Sequence, residues 1–293
     1  MEMQKTIDCD IEFTGIALHS GRKVTVKLKK AEANNGIIFR RIDLPGKPEI
    51  PATLDYVVNT LMCTELGIGK AKIKTVEHFL SAVNALGIDN LIVEVDGCEM
   101  PAMDGSSFPF VQILLKAGIK ELGIPKKVIK LLKEVVVEKD CKKVVFSPSD
   151  RIKYSFLLEY DHPIIGRQKF DFDFSMEDYI SEISPARTFG FLEEVEYLKK
   201  NNLALGGSLE NAIVLDKKGV LNPEGLRFKN EFVRHKILDA IGDISLIGYK
   251  VIGHFYGKKS GHELNYLIGK KILENKDVYE FVEDEEIFKF AIA

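Results

Sequence analysis

Glu77 and His78 stand side by side in Thr75-Val76-Glu77-His78, and His235 and Asp239 lie four residues apart in Arg234-His235-Lys236-Ile237-Leu238-Asp239. On a helix this spacing puts His235 and Asp239 on one face, a single turn apart. Two imidazoles and one carboxylate can bind a divalent metal and leave a position open for water, as a catalytic site requires. Glu77 is then a spare carboxylate beside them. The chain has only 6 histidines, so their placement is informative. Taken alone, a helical histidine is most often structural, and a His–Asp pair at i, i+4 is often just a local polar pair. Asp243 lengthens the stripe by a further turn, beside the apolar positions Leu238 and Ile241. A polar stripe next to a core face needs a partner, and a cation is a good one. His262, in Lys258-Lys259-Ser260-Gly261-His262-Glu263, reads either as an exposed turn at a helix start or as an acid near the metal. In the second case Asp243 would hold its other ring nitrogen and keep it protonated near neutral pH.

The elements that must position these groups follow from periodicity. Lys23–Lys29 alternates polar and apolar residues, the period of a half-buried strand, and 36–40 reads as another. A helix is expected over about 75–86, with Val76, Phe79, Leu80, Val83 and Leu86 as its apolar stripe and Gly87 as its stop. A strand at 90–95 and a helix at 107–117 follow. Leu122-Gly123-Ile124-Pro125-Lys126-Lys127 has linker composition. Beyond it the order repeats: strands at 143–146, 152–157 and 168–174, a helix at 229–241, a strand at 250–255 and a helix from 262. The expected architecture is therefore α+β in two related domains, 1–122 and 128–270, joined by a linker at 123–127 and followed by a tail at 271–293. A site drawing His78 from one half and His235 and Asp239 from the other would lie at their interface.

Composition narrows the function classes. At 293 residues, 45% hydrophobic and 29% charged, the chain is an ordinary globular one. A net charge of −3 argues against broad nucleic-acid binding. Cys9, Cys63, Cys98 and Cys141 have no CxxC spacing, so a reduced, cytoplasmic setting is expected, without disulfides or a thiolate zinc knuckle. Neither a signal peptide nor a membrane span is expected. Abundant lysine and glutamate with scarce glutamine lean toward a thermophilic source.

Several ordered motifs resemble the UDP-3-O-acyl-N-acetylglucosamine deacetylases, zinc enzymes of lipid A biosynthesis in Gram-negative bacteria. They are Leu18-His19-Ser20-Gly21, Thr75-Val76-Glu77-His78, Pro101-Ala102-Met103-Asp104-Gly105-Ser106, Ala186-Arg187-Thr188-Phe189-Gly190, Leu205-Gly206-Gly207-Ser208, Asn222-Pro223-Glu224-Gly225-Leu226-Arg227, Val233-Arg234-His235-Lys236 with Asp239-Ala240-Ile241-Gly242-Asp243, and Ser260-Gly261-His262. The resemblance runs from about Ile11 to Lys270. It implies one catalytic Zn2+ (Fe2+ is possible in the cell) held by His78, His235 and Asp239. It further implies Glu77 as general base, His262 as general acid supported by Asp243, and Thr188 as a donor to the oxyanion. Lys236, Lys259 and Phe189 would contact the substrate, Lys259 near its diphosphate. Each domain is expected to be a small sheet layered against two helices and to carry an insert. The second insert, about 193–208 with Val195 and Ala204, would form a passage for the fatty acyl chain. The implied partner is a UDP-sugar bearing that chain, with no nucleic acid, and the protein acts as a monomer. Two competing readings are a non-haem Fe(II) oxygenase, which uses the same ligand set, and a non-enzymatic RNA-binding module.

Overall fold

The computed structural model describes residues 2–200 and 203–283. The first half builds a five-stranded sheet from β1 (Ile11–Ile16), β2 (Lys23–Lys30), β3 (Ile37–Arg41), β4 (Glu49–Pro51) and β5 (Leu91–Val95), in the spatial order β1-β2-β5-β3-β4. The second half builds another from β6 (Val135–Lys139), β7 (Lys142–Ser147), β8 (Lys153–Glu159), β9 (Arg167–Asp173) and β10 (His254–Lys258), in the order β6-β7-β10-β8-β9. The two orders are the same connectivity. In each sheet only the fifth strand and its third-strand neighbour are parallel, and every other pair is antiparallel. The duplication that sequence similarity leaves faint is therefore plain in topology, and the fold is α+β as expected.

Each half places one helix before its fifth strand and one after it. These are α1 (Glu77–Ala85) and α2 (Phe108–Ala117) in the first half, and α4 (Glu231–Ser245) and α5 (His262–Glu274) in the second; α3 (Leu192–Lys200) precedes the second pair. Strand alternation buries one face of β2 through Val24, Val26 and Leu28. Helices α1 and α2 cover the first sheet through edge-to-face aromatic contacts, Phe39–Phe79 at 6.2 Å, Phe79–Phe110 at 5.5 Å and Phe13–Phe110 at 5.9 Å. The halves meet where α1 packs on α4. Gly242 permits that approach, because a Cβ there would lie 2.1 Å from the Glu77 carbonyl oxygen. One continuous core spans both halves.

Each half carries an insert. The first is a three-stranded antiparallel meander at Val57–Asn59, Glu65–Ile68 and Ala71–Ile73. The second is α3 between the paired strands Phe189–Phe191 and Ile213–Leu215.

The structure differs from expectation in three connecting segments. Residues 123–127, read as a linker, are nearly all strand: Ile119–Pro125 pairs with Met3–Ile7, and Lys127–Leu131 begins the next sheet. The single strand expected over 250–255 breaks at Gly253, where a Cβ would meet the Phe146 ring and Leu131 at 2.9 Å. Lys250–Ile252 pairs instead with Lys127–Leu131. The expected tail is also partly folded in, since α5 runs to Glu274 and Tyr279–Glu283 pairs antiparallel with Lys127–Leu131. Phe281 there packs on Tyr249, their rings 4.9 Å apart. The rest of the expected tail, from 284 on, lies outside the described residues.

Candidate active site

Helix α4 presents His235, Asp239 and Asp243 on one stripe, and all three are buried. Helix α1 brings Glu77 and His78 to the same place from the other half, both buried. Donor atoms of His78, His235 and Asp239 all lie within 4.8 Å of one another. Asp239 Oδ1 is 3.2 Å from His235 Nε2 and 3.6 Å from His78 Nε2, and the two rings meet edge to face at 4.9 Å. His235 Nδ1–H donates to the Ala186 carbonyl at 3.0 Å. That bond fixes the tautomer, so the Nε2 lone pair points to the cluster. Asp239 Oδ1 is buried without a hydrogen-bond donor, and Lys236 Nζ donates to the other oxygen, Oδ2. An orphaned carboxylate oxygen between two imidazole nitrogens is costly unless a cation occupies the gap. These residues fit a divalent metal.

Charge around the cluster is arranged accordingly. Burial opposes ionisation of Asp239, but the Lys236 ammonium bonded to it helps hold the carboxyl well below the usual range. Burial pushes His235 down to about 3, only partly countered by Asp239, so the ring is neutral and ready to ligate.

A second group adjoins the first. His262, at the start of α5, donates from Nδ1 to Asp243 Oδ2 at 2.8 Å, and its Nε2 lies 4.0 Å from Glu77 Oε1. Burial works against a charged His262, yet Asp243, Glu77 and Asp239 together raise it to about 9. Burial, aided by Asp243 and Asp239, raises Glu77 above the usual carboxylate range, against the pull of His262 and His78. A carboxylate inclined to take a proton thus faces an imidazolium inclined to keep one.

The remaining expected residues fall in different places. Thr188 is fixed on both sides by its backbone, its N–H donating to Gly105 and its carbonyl accepting from Ile213, each at 2.8 Å. Phe189 lies against Phe232 at 5.0 Å and its ring is 6.5 Å from that of His235. Lys236 is committed to Asp239. Lys259 pairs with Glu159 at 2.8 Å, away from the cluster's hydrogen bonds. Val195 is half-buried on α3, and Ala204 sits in a turn at φ +53°. That turn docks on the first half, with Leu205 N–H donating to His19 and Gly206 N–H to Leu18.

Sequence reading alone missed four residues that hold this arrangement, Arg187, Glu224, Glu231 and Thr64. Arg187 is buried, and its guanidinium donates to Glu231 at 2.9 and 3.2 Å, to Glu224 and to the Gly225 carbonyl. Glu231 begins α4, so this pair pins the Ala186–Phe189 segment to the helix that carries His235. Thr64 bonds both Glu77 and Asp243. Arg187 and Glu224 lie within quoted motifs, which was the available signal; Glu231 and Thr64 had none. Cys63 is buried, with its thiol pushed up by burial and by Glu77.

No helix among the described residues is long and apolar enough to cross a membrane. Residues 4–274 match the family of UDP-3-O-acyl N-acetylglycosamine deacetylases. A UDP-3-O-acyl-N-acetylglucosamine deacetylase of Pseudomonas entomophila (strain L48) is 50% identical over 284 residues, covering 96% of this chain and 94% of the relative. Those of Aliarcobacter butzleri (strain RM4018) and Acinetobacter baumannii (strain SDF) are 49% and 47% identical, covering 97% and 96% of this chain and 94% and 95% of theirs. With this match running through both halves that supply the buried cluster, the chain belongs to the UDP-3-O-acyl N-acetylglycosamine deacetylase family.

Proposed function

We propose that this protein is a zinc-dependent amide hydrolase. It removes the N-acetyl group from UDP-3-O-acyl-N-acetylglucosamine to give acetate and UDP-3-O-acyl-glucosamine, an early committed step of lipid A biosynthesis. The observation that carries this reading is the trio His78, His235 and Asp239, with its orphaned Asp239 Oδ1, set beside the facing pair Glu77 and His262. When bound, zinc would supply Lewis acidity toward water and toward the amide oxygen.

The chain's own residues carry the proton traffic. Thr64 N–H occupies Glu77 Oε2 at 3.1 Å, which leaves Oε1 to take the proton of the attacking water. The raised affinity of Glu77 for a proton suits a base that must also pass it on. His262 is held by Asp243 through Nδ1, so its Nε2–H is the proton available to the departing sugar nitrogen. Each of these roles is typically worth about 10²–10⁴ in rate. Thr188, held in place by its backbone bonds, would donate to the oxygen on which negative charge develops. Lys236 would meet the polar head of the substrate and Lys259 its diphosphate. Phe189 would line the sugar side, and Val195 and Ala204 the acyl passage.

We assign residues 1–122 and 128–270 to two domains, with the site between them and with the protein a cytoplasmic monomer. Ligands carried on helices of an α+β fold support hydrolysis over Fe(II) oxygenation or RNA binding. The test is Glu77→Gln, which should keep its metal yet lose several orders of magnitude in acetate release. Near-normal turnover in that variant would remove Glu77 from the role of base.

A further inference from the structure

We infer that Thr64 is a positioning residue that sets the general base and the support of the general acid in one frame, by bonding Glu77 and Asp243 at once. This rests on the proposed roles of Glu77 and His262 and deepens them.

Thr64 is buried at the mouth of the meander, and each of its polar groups is engaged. Its N–H donates to Glu77 Oε2 at 3.1 Å, its carbonyl accepts from Val76 N–H at 3.5 Å, and its hydroxyl donates to Asp243 Oδ1 at 2.6 Å. The first two bonds tie it to the start of α1 in the first half. The third crosses to α4 in the second half. Asp243 is itself buried and takes three donors: Thr64 on Oδ1, and His262 Nδ1 and Asn265 Nδ2 on Oδ2, the last two at 2.8 and 2.9 Å. Without the Thr64 hydroxyl, Oδ1 would lose its one charge-assisted bond. The carboxylate could then turn about its Cβ–Cγ bond and carry His262 with it. Base and acid stand only 4.0 Å apart, so a small rotation changes how both meet the substrate. Valine is nearly isosteric with threonine and keeps the backbone N–H to Glu77, so Thr64→Val isolates the hydroxyl.

The experiment is a double-mutant cycle in the zinc-loaded enzyme, with Thr64→Val and His262→Ala alone and together, and Thr64→Ser as the rescue. Metal content and thermal midpoint are recorded for each variant. Thr64→Val should lower kcat by about 10-fold or more, a part of what an acid contributes, while KM stays nearly constant. Thr64→Ser should restore most of the rate. In the His262→Ala background, Thr64→Val should cost little more, because its target has gone. An equal loss in both backgrounds, or no loss in either, would overturn the inference. Near-normal turnover in His262→Ala alone would instead strike at the assignment of the acid, and the inference would fall with it. If Thr64→Val does not fold, Thr64→Ala removes the same hydroxyl and is judged by the same ratio of losses.

Discussion

Arg187 offers the sharpest quantitative test of how the site is held. Arg187→Met keeps most of the side-chain stem and deletes the guanidinium, which is 2% exposed and paired with a Glu231 carboxylate that is 0% exposed. Removing one partner of a buried ion pair costs about 3–5 kcal/mol, because it leaves an uncompensated charge. Glu231 would still accept the backbone N–H groups of Arg187 at 3.0 Å and Arg227 at 2.6 Å, which places the expected loss at the lower end, about 3 kcal/mol. For a chain of this size that is a fall in thermal midpoint of roughly 6–10 °C. The loss has a second, local consequence. The same segment presents the Ala186 carbonyl to His235 Nδ1, and loosening such a partner typically lowers metal affinity about 10–100-fold. The assay is thermal unfolding of metal-free protein, where ligand linkage cannot mask the change, followed by competition titration with a metal chelator. A midpoint within about 2 °C of the parent and an unchanged metal affinity would refute the clamp.

Further outcomes follow from the same geometry. In metal-free protein, NMR should show His262 titrating near pH 9; because that lies above its unfolded value near 6.5, its stabilising contribution is complete below about pH 6.5 and is lost as pH rises through 9. Zinc should move the midpoint down, since a dication nearby disfavours the imidazolium, and an upward shift would contradict that placement. Gly242→Ala should destabilise by about 1–3 kcal/mol in denaturant unfolding, despite alanine's better helix propensity, because the new methyl meets the Glu77 carbonyl; a stabilised variant would deny the close crossing of α1 and α4. Val195→Phe or Ala204→Met should shift the specificity constant toward shorter acyl chains, by about 0.8 kcal/mol for each methylene excluded, with zinc content unchanged. An unaltered chain-length profile in both would place the acyl site elsewhere.

What the sequence disclosed was governed by range. His235, Asp239 and Asp243 share a helix, so their alignment follows from a period of 3.6, and α4 displays it over Glu231–Ser245. That His78 meets them from another helix is a tertiary fact that no local period encodes. The paired sheets were readable as repeated element order, but their common strand order was not, because register depends on contacts far apart in the chain. Gly123 and Pro125 marked a linker by composition, yet pairing with Met3–Ile7 claimed that segment as strand. The segment after 270 read as a tail, while the alternation of Tyr279 and Phe281 was the quieter sign of the strand that pairs with Lys127–Leu131. Arg187 with Glu231 and Thr64 with Asp243 act over 44 and 179 residues, and no local pattern announces such partners.

We propose that His78, His235 and Asp239 hold the one catalytic ion on which Glu77 and His262 depend. The most direct measurement is a zinc titration of metal-free protein, with bound metal and released acetate read in the same samples. Acetate release should rise in proportion to bound zinc and level off at one ion per chain. His78→Ala and His235→Ala should fail to retain that ion, and Glu77→Gln should retain it in silence. Full acetate release by metal-free protein, or full zinc occupancy in both histidine variants, would contradict the account.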